Sequence, residues 1–239
     1  MTVDIFIPCF IDQVYPETGF NMVKILEKLG VKVNYNSNQT CCGQMAFNSG
    51  FWDEAKAVGE KFIRDFPHNR YIVGPSASCI GYVKNYYGEM FYNSALHNEY
   101  HQLKKNIIEF TDFLVNVLNM EDVGATFEHS ITYHDSCAAL REYKLTDQPR
   151  RLLRHVKGLE LREMKDTHEC CGFGGTFAVK HEAISTAMAQ QKVQNALDTG
   201  AEYIVSTDSS CLMHQQGYID QHKLPLKTIH IIDLLAQGW

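Results

Sequence analysis

Tyr71-Ile72-Val73-Gly74-Pro75-Ser76-Ala77-Ser78-Cys79 returns later in the chain as Tyr203-Ile204-Val205-Ser206-Thr207-Asp208-Ser209-Ser210-Cys211, with five of the nine positions identical. Each copy is an apolar, β-branched run broken by small and polar residues and closed by a cysteine, which reads as a buried strand leading into a turn. The repeat extends outward from these stretches. The eight cysteines fall into two sets with one pattern, single, adjacent pair, single: Cys9, Cys41, Cys42, Cys79 and Cys137, Cys170, Cys171, Cys211. The single-to-pair interval is 32 residues in the first set and 33 in the second, and the pair-to-last interval is 37 and 40. Each pair is followed by a glycine, Gly43 or Gly172. Each set is followed by an apolar stretch around an aspartate, Phe110-Thr111-Asp112-Phe113-Leu114 and Ile231-Ile232-Asp233-Leu234-Leu235. So long a period does not suit a solenoid and indicates duplication of a whole domain. We place the halves at residues 1–124 and 125–239, with Gly124 at the seam.

A chain of 239 residues buries enough surface to fold without a disulfide or metal staple, so the cysteines need another explanation. The formal charge of -6 supplies no basic face for a phosphate backbone, which argues against nucleic acid. The N-terminal stretch lacks a basic n-region and no window approaches the length of a bilayer span, so the reading is a soluble cytoplasmic protein. In a reducing cytosol, thiols serve as metal ligands, redox groups or buried apolar side chains.

Strand readings fall at residues 3–8, 31–35, 71–74, 131–134 and 203–206. Between them, Met22, Ile25, Leu26 and Leu29 keep helical spacing, with Thr18 as a cap and Gly30 beyond the end. Ala55, Val58 and Phe62 mark a second helix. Leu103, Ile107, Phe110, Leu114 and Val117 mark a third, and Ile184, Ala187, Met188 and Ala196 a long one ended by Gly200. The expected fold is α/β: two pseudo-symmetric βα-repeat halves with parallel sheets covered by helices. Ligands in such sheets gather at the carboxyl ends of strands, where each half puts its cysteines.

Each half therefore offers four soft sulfur donors from three loops, enough for an iron–sulfur cluster. Gly43 and Gly172 suit a tight turn that aims backbone N–H groups at sulfur. Four thiolates are also a good tetrahedral zinc site, although structural zinc sites usually use short Cys-x-x-Cys knuckles. Burial as small hydrophobes explains single cysteines better than eight in a repeat. His134, His168 and His214 lie near cysteines but stay outside the ligand set, since 11 histidines place some there by accident. His134-Asp135 reads as structural before it reads as an acid–base pair. Gly172-Phe173-Gly174-Gly175 matches neither the P-loop nor the dinucleotide pattern.

A cysteine, about thirty residues, Cys-Cys-Gly, nearly forty residues and a closing cysteine, present twice, resembles the CCG or cysteine-rich domain. That domain occurs in heterodisulfide reductase, in the iron–sulfur subunits of glycolate oxidase and anaerobic glycerol-3-phosphate dehydrogenase, and in lactate-utilization proteins. Cys41-Cys42-Gly43-Gln44 with Phe47-Asn48-Ser49-Gly50, Cys170 to Phe177 with Val179-Lys180, and residues 111–118 and 121–126 resemble the lactate-utilization protein A family across essentially the whole chain. The resemblance implies an iron–sulfur electron-transfer subunit. It would act with two other lactate-utilization subunits, one ferredoxin-like, in oxidising L-lactate to pyruvate, as a component of an oxidoreductase complex and not a catalyst by itself. It implies that Cys9, Cys41, Cys42, Cys79, Cys137, Cys170, Cys171 and Cys211 hold one or two [4Fe–4S] clusters, with zinc in one half or in aerobic preparations as the alternative. The full family motif commonly closes with two nearby cysteines, whereas here Ser76 and Ser78 precede Cys79, and Asp208, Ser209 and Ser210 precede Cys211. Four thiolates per half suit an ordinary [4Fe–4S] centre and speak against the five-cysteine noncubane clusters of the heterodisulfide reductase branch. The competing readings are a zinc-holding scaffold and a thiol/disulfide protein acting through its adjacent cysteines, which are poor structural disulfides but redox-capable.

Overall fold

The apolar β-branched runs pair as parallel strands in a computed structural model that describes residues 1–67 and 69–238. The first half runs β1 (Thr2–Ile5), α1 (Cys9–Val14), α2 (Pro16–Lys28), β2 (Lys32–Tyr35), α3 (Gln44–Asn48), α4 (Trp52–Asp65), β3 (Ile72–Gly74), α5 (Ala77–Met90), α6 (His97–Asn106), β4 (Ile107–Glu109) and α7 (Phe110–Asp112), which continues as a π-helical turn over Phe113–Val117. The second half runs β5 (Ser130–Tyr133), a π-helical turn at Ala139–Tyr143, α8 (Gln148–Leu153), β6 (Glu160–Leu161), α9 (Phe177–Lys180), α10 (Glu182–Leu197), β7 (Tyr203–Ser206), α11 (Ser209–His222), β8 (Lys227–His230) and α12 (Ile231–Leu235). Each half forms one four-stranded parallel sheet, in the orders β2-β1-β3-β4 and β6-β5-β7-β8. Asp4 lies opposite Ile72 in one and Ile131 opposite Tyr203 in the other. Helices cover both sheets, as an all-parallel sheet demands. Among the described residues no helix is long and apolar enough to cross a membrane.

One hydrophobic core spans both halves. It joins Val3, Ile5, Leu26, Phe110 and Phe113 to Ile131, Leu152, Ile231 and Leu235, all buried. The reason is an exchange of closing helices: α7 of the first half packs on α8 of the second, and α12 of the second half packs on α2 of the first. The two repeated aspartates seal the exchange. Asp112 accepts hydrogen bonds from Tyr143 Oη at 2.6 Å and Gln148 Nε2 at 3.3 Å. Asp233 accepts from Thr18 Oγ1 at 2.7 Å and Asn21 Nδ2 at 2.9 Å. An aromatic cluster of Phe6, Phe62, Phe66, Tyr82, Tyr87 and Phe91 fills the remaining space in the first half.

The strand readings at residues 3–8, 31–35, 71–74, 131–134 and 203–206 correspond to β1, β2, β3, β5 and β7, with the first strand ending at Ile5. Two local expectations change. Thr18 lies inside α2, which begins at Pro16, a residue suited to a first helical turn, and its hydroxyl serves Asp233 instead of a cap. The helix expected across Leu103 to Val117 is interrupted by β4, because Ile107 and Ile108 form a buried strand edge-paired with β3. A short apolar run of this kind keeps helical spacing by coincidence.

Candidate metal centre

The loops that follow β1, β2 and β3 in the first half, and β5, β6 and β7 in the second, open onto one cavity of about 180 Å³. All eight cysteines line it. They are free thiols; Cys42, Cys171 and Cys211 are buried and the other five are half-buried. Cys9 and Cys137 sit at strand-end turns, Cys79 and Cys211 in the first turns of α5 and α11, and the pairs in the loops before α3 and α9. The repeat is preserved in the contacts: Cys9 Sγ is 3.5 Å from Cys41 Sγ, and Cys137 Sγ is 3.7 Å from Cys170 Sγ.

The glycine after each pair does what its position promises. Gly43 and Gly172 have φ of +90° and +92°, and their N–H groups donate to Cys41 Sγ at 3.3 Å and Cys170 Sγ at 3.4 Å. A Cβ on Gly172 would lie 2.6 Å from the Ser185 carbonyl oxygen, and one on Gly43 would lie 3.1 Å from that of Ala55. Left-handed backbone and close packing together reserve these positions for glycine. Gly172→Ala should lower the thermal midpoint of the metal-free protein by about 10 °C, from a cost of roughly 3 kcal/mol or more. Gly30→Ala is the control, with φ of +75° and nothing near its Cβ position, and should lose only about 1 kcal/mol. Equal midpoints in differential scanning calorimetry would contradict the close-packing account.

The thiols share protons unequally. Hydrogen bonds from Cys42 and Cys9 hold Cys41 down to about 3, while Cys9 and Cys42, as donors toward Cys41, are pushed up. In the second half Cys137 and Cys171 hold Cys170 down to about 2 and are themselves raised. Cys211 falls to about 6, through Cys171 first and the His134 imidazole second, against its own burial. Each half thus carries thiolate character at rest but cannot ionise every sulfur while they repel one another. A cation among them would release the remaining protons, which is the behaviour of a metal site.

Ser76, Ser78 and Asp208 line the same cavity and were not legible as a group in the sequence. Asp208 Oδ1 reaches across from the second half to accept hydrogen bonds from Ser76 Oγ at 2.9 Å, Ser78 N at 3.1 Å and Ser78 Oγ at 2.7 Å. Its Oδ2 is buried without a partner. The one available signal was the repeat, which aligns Asp208 with Ser76. The Gly172 to Gly175 loop closes over the cavity: Phe173 meets Phe10 edge-on at 5.6 Å, Thr176 Oγ1 lies 3.3 Å from Ser49 Oγ, and a Cβ on Gly175 would strike Met45 Sδ. Of its glycines, Gly175 serves close approach between halves, while Gly172 and Gly174 pack against their own half.

The histidines separate. His168 is exposed. His214 Nε2 lies 3.1 Å from Ser185 Oγ, which itself donates to the Gly172 carbonyl. His134 is fully buried beside Cys171 and Cys211, with one ligand atom from each of the three within 4.8 Å of the others. Asp135 is gripped by both terminal nitrogens of Arg150 at 2.8 Å, and no hydrogen bond joins it to His134, so the two do not form an acid–base pair.

A duplicated parallel α/β unit that carries a cysteine, a Cys-Cys-Gly and a closing cysteine at its strand ends is a tandem of cysteine-rich (CCG) domains, and the model of that domain matches residues 3–84 and 131–215. Lactate utilization protein A of Bacillus licheniformis is 41% identical over 235 residues, covering 98% of this chain and 99% of that protein. The protein of the same name from Geobacillus kaustophilus is 41% identical over 235 residues, covering 98% of each. Lactate utilization protein A 2 of Bacillus cereus (strain AH820) is 37% identical over 244 residues, covering 100% of this chain and 99% of that one. The chain belongs to the lactate utilization protein A family of CCG proteins. Among solved structures, a hypothetical protein from Helicobacter pylori has the same fold at a TM-score of 0.59 and 11% identity, matching all of this chain and 49% of that one.

Proposed function

We propose that this protein is an iron–sulfur electron-transfer subunit in a multi-subunit system that oxidises L-lactate to pyruvate. The observation that carries the reading is the convergence of eight sulfurs, from two copies of one motif, on a single cavity. The donor set fits the group: soft sulfurs, backbone N–H groups aimed at Cys41 and Cys170, and thiols whose protons a cation would displace. Cys9, Cys41, Cys42 and Cys79 would hold one centre and Cys137, Cys170, Cys171 and Cys211 the other. When bound, an iron–sulfur cluster supplies one-electron chemistry. The chain's own residues set the conditions for it. Gly43 and Gly172 donate to sulfur, which stabilises the more negative state. Phe10, Phe173 and Met45 restrict water at the cavity. Lactate chemistry would belong to partner subunits, two other lactate-utilization proteins; the relatives' names support only the link to lactate utilization.

Protein purified and reconstituted without oxygen should contain iron and acid-labile sulfide in equal amounts and show broad visible absorbance that bleaches on reduction. Stoichiometric zinc with no redox signal would sink this reading and favour a scaffold.

A further inference from the structure

His134 is fully buried, and among the described residues neither of its ring nitrogens has a hydrogen-bond partner. A buried imidazole left this way carries a desolvation cost that native proteins seldom bear without a reason. Its ligand atom faces Cys171 and Cys211, two buried sulfurs of the second half. The repeat supplies an internal control. His134 stands three residues before Cys137; three before Cys9 stands Phe6, also fully buried. Phe6 packs edge-on against Phe62 at 4.8 Å and Phe66 at 5.9 Å, so the fold itself accepts a wholly apolar ring at this place. A polar ring aimed at sulfur in one copy only points to what that copy holds.

We propose that His134 is a ligand of the centre in the second half, so that the two halves hold chemically different centres: thiolates alone in the first, thiolates with one imidazole in the second. This rests on the second half binding a metal, as proposed above. With His134 beside Cys171 and Cys211, one of Cys137 and Cys170 is left out of the ligand set given above, and a neutral imidazole in place of that anionic thiolate would leave the centre less negative and raise its reduction potential. With clusters bound, the second half would then be the better electron acceptor of the two.

Cobalt(II) added to the reduced full-length protein tests the ligand directly, without iron and without activity. A coordinated imidazole N–H gives a far-downfield, hyperfine-shifted proton resonance that disappears in deuterium oxide. The wild type should show it and His134→Phe should lack it. The variant should also lose about tenfold or more of its cobalt affinity in the second half, with the first half unaffected. Should His134→Phe fail to fold, His134→Gln takes its place in the comparison. No such resonance in the wild type, or its survival in the folded variant, overturns the proposal. Iron and sulfide analysis of the same protein keeps the two readings apart. A cobalt-bound imidazole without cluster incorporation leaves the His134 assignment standing and removes the electron-transfer role; clusters without the imidazole signal do the reverse.

Discussion

Replacing Cys171 by serine should reduce the iron of the anaerobically reconstituted protein to about half and leave the remainder in the first half. Cys171 is buried against Cys170, Cys211 and His134, so its sulfur cannot be replaced from solvent or by a neighbouring side chain. A serine hydroxyl is harder and far less acidic than a thiol, and iron centres of this type discriminate strongly against it. Ligand binding to the folded state alone stabilises it, so the variant should also lose several kcal/mol of apparent stability in the loaded form while its metal-free form stays close to wild type. Cys42→Ser is the mirror experiment for the first half and should leave the other half of the iron. Iron content and melting behaviour unchanged by Cys171→Ser would mean that the second half holds nothing.

Glu109 should contribute a loss of stability as pH rises from about 5 to 8, and Glu109→Gln should remove that contribution, so that the stability of the variant relative to wild type rises across the window. Glu109 ends β4 and its Oε2 accepts hydrogen bonds from Thr111 N at 2.7 Å, Thr111 Oγ1 at 2.6 Å and Asp112 N at 3.1 Å. Complete burial outweighs these bonds and pushes the carboxyl up to about 8. The folded protein thus keeps a proton that the unfolded chain has already released above pH 5. Each unit of pH in that window costs about 1.4 kcal/mol, and across it the loss is on the order of 4 kcal/mol. Glutamine keeps the acceptor and cannot ionise, so its thermal midpoint at pH 8 should exceed that of wild type by about 10 °C. His230, at the matching end of β8, accepts from Ile232 N at 3.2 Å and is held down by burial. Its effect has the opposite sign: below the ordinary histidine range the unfolded chain takes a proton that the fold refuses. Parallel pH profiles for wild type and Glu109→Gln would show that Glu109 is ionised in the fold.

The repeat was legible because cysteines and the Tyr-Ile-Val runs carry strong local signals, which placed the cysteines at strand ends and gave β1, β2, β3, β5 and β7, but not β4, β6 or β8. What stayed hidden depends on contacts between distant residues. β4 was lost because Ile107 and Ile108 continue the helical spacing begun at Leu103, and only pairing with Ile72 and Val73 makes them a strand. Sequence distance could not rank the three histidines. His168 lies two residues from Cys170 yet points to solvent, whereas His134, three from Cys137, reaches sulfurs supplied by two other segments. Asp112 and Asp233 were visible as repeated positions, but their partners lie in the opposite half.

The exchanged closing helices govern the order in which the molecule can be completed. On the ribosome the first half emerges with α2 bare, because α12, which covers Met22, Ile25 and Leu26, is made after everything else in the two halves. The apolar face of α2 therefore gains its full cover only when residues 231–235 have arrived. The duplicated unit, having traded its last helices, has become indivisible.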